Sequence, residues 1–165
     1  MWYIAILSIM ITAGGYFTFT TQGNLAQAES AKTSTLARDM AIYREAVVAY
    51  YASHPGSAHT VSLQNLRASN SFPSWSSLNN ASSASIWANY RASDGTIYIY
   101  TTAPISPELC HEITALSRNS VMTGVFRKGD TTLHSPVFGD TRIPFPSQAD
   151  VQIPNASAVW IAVGN

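Results

Sequence analysis

Apolar positions along this chain fall into three regimes: an unbroken run, a three- and four-residue period, and a two-residue alternation. The run is Trp2 to Phe19, WYIAILSIMITAGGYFTF. At about 18 residues it reaches the lower end of a bilayer-spanning helix. Backbone amides in hydrocarbon need internal partners, so the pattern predicts a helix. Trp2, Tyr3, Ile4, Ile6, Leu7, Ile9, Met10, Ile11, Tyr16 and Phe17 are its candidate membrane-facing residues. The aromatic pairs near the two ends suit the membrane interfaces. The helical period begins after it. From Ala26 to about His54, Leu36, Met40, Tyr43, Val47 and Tyr50 recur at three- and four-residue steps and mark one face. Arg38, Asp39, Arg44 and Glu45 fall largely off that stripe. His54-Pro55-Gly56 stops the helix. The stripe suits docking onto the protein's own sheet, and its spacing also permits pairing with another helix.

The alternating regime lies downstream. Gly56 to Ser85 is rich in Ser and Asn, with Leu63, Leu66, Phe72, Trp75 and Leu78 as expected anchors of a structured excursion. Ile86–Arg91 and Thr96–Thr102 predict two strands joined through Ser93-Asp94-Gly95. Ile97 and Ile99 alternate with Tyr98 and Tyr100, so one face is aliphatic and the other aromatic. The long helix is expected over the aromatic face. Ser106-Pro107-Glu108 reads as a helix start, with Leu109, Ile113 and Leu116 as the buried stripe to about Arg118. A second hairpin, Val121–Arg127 and Thr131–His134, turns at Lys128-Gly129-Asp130. A Pro-rich stretch follows, and Val159–Val163 is a terminal strand. The expected fold is α+β: an N-terminal membrane helix, a long amphipathic helix on a small antiparallel sheet, pilin-like or ferredoxin-like, and one short second helix. The organisation read from the pattern is 1–22 as transmembrane anchor and 23–165 as one globular domain led by the long helix.

Charge sharpens this picture. The 165 residues carry nine Lys+Arg and nine Asp+Glu, 11% of the chain, where soluble domains average about 25%. Mean hydropathy is only +0.04, because Ser, Thr, Ala and Asn replace the missing charge. No charged residue precedes Glu29. The absence of a basic face argues against nucleic-acid binding. Ala26-Gln27-Ala28 offers a signal-peptidase-like site, though no Lys or Arg precedes it. Prepilin processing fits poorly, since the apolar run precedes Gly15 and Thr20 stands where a Glu is needed. Lys32, Arg38 and Arg44 slightly favour a cytoplasmic body by the positive-inside rule, while the Lys-poor, Ser/Asn-rich composition favours export.

The search for chemistry returns no catalytic, cofactor-binding or metal-binding set. His54, His59, His111 and His134 are scattered, and no pair has helical metal-ligand spacing. Cys110 and His111 are neighbours on a helix and point in different directions. Glu108 and Glu112 lie one turn apart and read as solvated. Phosphate-binding glycine loops and nucleophile elbows are absent. Asn80-Ala81-Ser82 and Asn155-Ala156-Ser157 are sequon matches of a length that chance supplies.

The uncharged leader, MAIYREAVVAYYASHPG (Met40 to Gly56), WANYRASDGTIYIY (Trp87 to Tyr100) and IPNASAVWIA (Ile153 to Ala162) resemble PilM proteins of conjugative-plasmid type IVb thin-pilus systems. These are distinct from the actin-like proteins of the same name. The resemblance implies a non-catalytic, single-pass inner-membrane accessory subunit for thin-pilus biogenesis, with a periplasmic domain. Its implied partners are other pilus-assembly membrane proteins and the lipid bilayer, with a homo-oligomer through the long helix as a further option and no nucleic acid or cofactor. An alternative from the residues is an exported pilus-tip or adhesin-like binding subunit, released by cleavage near Ala28.

Overall fold

The structure, a computed structural model, describes the backbone of residues 2–56, 59–80, 85–146 and 151–163, and side chains from residue 27 onward. The elements are α1 (Trp2–Ser53), α2 (Leu63–Ala68), a 3-10 turn (Ser77–Asn79), β1 (Trp87–Arg91), β2 (Thr96–Thr101), α3 (Pro107–Leu116), β3 (Thr123–Phe126), β4 (Thr132–Ser135), β5 (Gly139–Pro144) and β6 (Ser157–Val163). Two compact units result, residues 1–35 and 36–165. In the first, the backbone is helical even through the polar stretch 20–25. The side chains of the candidate anchor, Trp2 to Phe17, lie outside the described residues. Among the described residues no helix is long and apolar enough to cross a membrane.

The second unit is an α+β domain around a six-stranded antiparallel sheet of order β1-β2-β6-β3-β4-β5. This is not the ferredoxin-like alternative, since two helical segments precede a strand pair and four strands follow α3. The terminal strand is central. β6 pairs with β2 through Tyr98↔Ile161 and with β3 through Thr123↔Trp160, joining the two hairpins. The Pro-rich stretch contains a strand the pattern did not predict, β5. Proline is tolerated there because Pro144 is the last residue of an edge strand.

Local chemistry sets the helix ends. The Ser106 hydroxyl accepts from the Leu109 N–H at 3.3 Å, and Pro107 opens α3. Arg118 and Asn119 close it with left-handed φ of 57° and 54°. Leu109, Cys110, Ile113 and Thr114 are buried. Leu116, expected on that stripe, is 42% exposed. α2 begins at Ser62, whose hydroxyl accepts from the Asn65 N–H. Its six residues are too short to register as a period.

The sheet buries both faces. On one, α1 and α3 cover Ile97, Ile99, Ala158 and Ala162, and Leu66, Phe72 and Leu78 from the excursion join them. The long helix therefore covers the aliphatic face, not the aromatic one. Aliphatic side chains fill the space beneath two helices more evenly than tyrosines, whose hydroxyls would need buried partners. On the other face Tyr90, Tyr98 and Tyr100 pack with Phe126, Leu133, Val159 and Ile161. The Tyr98 hydroxyl donates to the Pro144 carbonyl at 3.0 Å. β2 and β5 are four strand positions apart in the sheet order, about 19 Å if the sheet were flat. A tyrosine cannot span that, so the sheet curls until β5 faces β2. Phe145, Val151 and Ile153 help close this second core.

Candidate functional site

The α1 stripe is divided by burial. Met40, Tyr43 and Val47 are buried against the protein's own sheet, and Leu36 and Tyr50 are half-buried at its margin. Ala37, Ala46 and Tyr51 are also buried, widening the packed face beyond the expected stripe. Arg44, expected off the stripe, is half-buried on it, its guanidinium 5.1 Å from the centre of the Trp160 ring. Desolvation lowers its pKa, and its Nε has no partner among the described residues. The ring face and the neighbouring Glu45 offset part of that cost.

A buried polar latch fixes the end of α1. The Asn89 amide, 3% exposed on β1, donates to the Tyr43 hydroxyl at 2.6 Å and to the Val61 carbonyl at 2.8 Å. Its oxygen accepts from the Val61 N–H at 2.9 Å and from the Tyr51 hydroxyl at 3.2 Å. Burial pushes the Tyr43 and Tyr51 phenols up to about 12, so both stay neutral across the working range, Tyr43 accepting from Asn89 and Tyr51 donating to it. Outside the latch, the Arg91 N–H donates to the His59 carbonyl at 2.6 Å, and the His59 ring bonds the Arg91 carbonyl at 2.7 Å. The Arg91 guanidinium caps the Pro55 carbonyl at 2.8 Å and lies 5.2 Å from the Tyr51 ring centre. Sequence reasoning missed this cluster. Its one signal is an Asn inside a strand, a position that polar amides disfavour.

Those contacts also decide how the sheet edges meet partners. The chain at 59–61 meets the end of β1: His59 takes up the outward N–H and carbonyl of Arg91, and Val61 bonds the Asn89 side chain. At the other end, the Arg142 N–H bonds Asp140 Oδ1 and the Ile143 N–H bonds Thr141 Oγ1. Arg142 takes a left-handed φ of 58°, and the β4–β5 ladder is irregular between Thr132 and His134. Bulge, proline and charge are the devices that discourage strand addition.

Among the described residues, most titratable groups stand apart. The Cys110 thiol is buried, and desolvation raises its pKa, while His111 on the next residue is exposed. Glu108 is fully exposed, its pKa lowered by its own backbone N–H and by Ser106. His54 stacks on Tyr50 at 4.4 Å, and His59 belongs to the β1 edge. His134 lines an open polar groove of about 370 Å³ with Arg127, Gly129, Asp130, Thr131, Thr132 and Asp140. The Asp140 carboxylate there is committed, accepting from the Arg142 N–H and from the Thr132 hydroxyl at 2.7 Å, which holds its pKa below the usual carboxylate range. The groove offers hydrogen bonding without an activated nucleophile. Among the described residues no three His, Cys, Asp or Glu are gathered to hold a metal.

Comparison with known proteins gives two matches. The PilM family model matches residues 6–161. The crystal structure of a protein designated PilM from Escherichia coli B7A superposes with a TM-score of 0.52 at 15% identity, over 81% of this chain and 94% of that one. At that identity the likeness speaks for the fold. No curated protein matches the sequence.

Proposed function

The chain belongs to the PilM family, and from that premise we propose that it is a non-catalytic accessory subunit of type IVb thin-pilus biogenesis in plasmid conjugation, held in the bacterial inner membrane by residues 1–22. The observation that carries this reading is the extent of the family match: residues 6–161 take in most of the uncharged leader together with all but the last residues of the sheet domain. The body suits a contact role. Its charges are few, and local contacts at Arg91 and Arg142 discourage strand addition at the sheet edges. The leader, the later part of α1 and the sheet domain then divide the work: the first fixes location, the second carries the latch, and the third presents surfaces to other assembly proteins. In this reading the domain faces the periplasm.

The test combines fractionation with topology. The intact chain is expected to stay in the membrane pellet after alkaline carbonate extraction, and a periplasm-active phosphatase fused after Asn165 is expected to be active. Release into the supernatant with a mature N-terminus at Glu29 would instead identify an exported subunit. An inactive fusion on a membrane-retained protein would place the domain in the cytoplasm.

A further inference from the structure

The most exposed large apolar side chain among the described residues is Trp75, at 75%. It was expected to anchor the excursion and does the opposite. The turn beneath it is rigid. The Ser76 N–H bonds the Pro73 carbonyl at 2.9 Å, and the Asn79 side-chain amide holds the same carbonyl at 2.6 Å. Phe72, Ser76 and Leu78 on either side are buried. Ser77 ties the segment to Asp39 on α1 at 3.0 Å, and Arg67 braces it through the Leu78 and Asn80 carbonyls at 2.7 Å each. An indole is therefore displayed on a fixed turn, with little ordering left to lose on binding.

We propose that this turn is a binding site for a neutral saccharide, with Trp75 as the stacking platform. Two observations select that ligand. No charged residue occurs from Ala68 to Tyr90, and the two charged side chains that reach the turn from elsewhere, Asp39 and Arg67, are engaged by the Ser77 hydroxyl and by the Leu78 and Asn80 carbonyls, so the turn itself offers hydroxyls and amides. The other exposed residues of the segment 73–80 are Pro73, Ser74, Ser77, Asn79 and Asn80. A protein hot spot is ringed by further contacts that exclude water, whereas the apolar neighbours here, Phe72 and Leu78, are buried below the turn. The electron-rich indole face attracts the weakly positive C–H face of a pyranose, and the surrounding hydroxyls and amides suit its equatorial hydroxyls.

The test uses the full chain in a non-glycosidic detergent, labelled with 5-fluorotryptophan. The four tryptophan resonances are assigned by Trp75→Phe and titrated with chitotetraose and, separately, maltotetraose. A saturable shift confined to Trp75, with a midpoint of about 1 mM, is expected for at least one sugar. A preference for chitotetraose would assign the site to amino-sugar polymers of cell-wall type, and a preference for maltotetraose to plain hexose glycans. Trp75→Ala should keep the native thermal transition, because the side chain supports no core, and should weaken sugar-observed saturation transfer at least about tenfold. Trp75→Phe should retain part of it. No saturable shift with either sugar overturns the proposal. So does a Trp75 resonance that responds only to protein concentration, since that marks a protein contact.

Discussion

Asn89 shows how much one residue holds at once. Its amide satisfies the Tyr43 and Tyr51 hydroxyls and both backbone groups of Val61, joining α1, β1 and the loop at 59–61. Asn89→Ala leaves those groups buried without partners, and each orphan costs about 1–3 kcal/mol. Some are recovered by water, so a loss of about 2–4 kcal/mol is expected in urea unfolding of the sheet domain. A loss below about 0.5 kcal/mol would mean the network is replaceable. This residue was legible only as a misfit. Asn in a strand announces a polar partner, and nothing in the sequence says that the partners lie 46 positions back on α1 and 28 back in the loop. Arg44 is the converse case. Its charge placed it off the stripe, and the Trp160 face that receives it is contributed by the last strand.

Helices whose ends are marked by local chemistry were legible. Pro55 and Gly56 terminate α1, and Ser106-Pro107-Glu108 opens α3, because capping depends on neighbours in sequence. Hairpin turns followed the same logic at Asp94-Gly95 and Lys128-Gly129-Asp130. β5 and α2 were not legible, one proline-bounded and the other too short for a period. The β3–β4 pair makes an element-scale prediction. A Cβ at Gly124 would collide with the His134 carbonyl, a backbone atom on the paired strand. That close approach accompanies the curl that brings β5 over to β2. Gly124→Ala should therefore cost about 1–3 kcal/mol as overpacking, read as a lower thermal midpoint with faster amide exchange in β3 and β4. An unchanged midpoint would mean the two strands separate freely.

At the scale of the whole domain, the last strand is the keystone. β6 contributes Ala158, Trp160 and Ala162 to the core under the helices, and Val159 and Ile161 to the opposite core. A chain ending after Pro154 loses the strand between β2 and β3 and leaves two separate hairpin systems. Such a chain is expected to lack near-UV ellipticity and to be digested rapidly by protease. A compact, protease-resistant product would show that the two halves fold independently. The domain's surface follows from the same arrangement. With both sheet faces buried and both edges guarded, contacts are left to turns and helix margins, which is where Trp75 and the His134 groove are found.

Period and local chemistry, taken alone, determined the α+β class, the strand alternation, the C-terminal end of the long helix and the scarcity of charge; the helix start did not follow, since α1 runs unbroken from Trp2 rather than from Ala26. These depend on residues within one or two turns of each other. Only the tertiary structure decided which face of β2 meets α1, where the final strand inserts, how far the sheet curls and which aromatic residues stay outside. Each of those depends on pairing between segments distant in sequence, and the two-residue alternation that marks a strand carries no record of its neighbour.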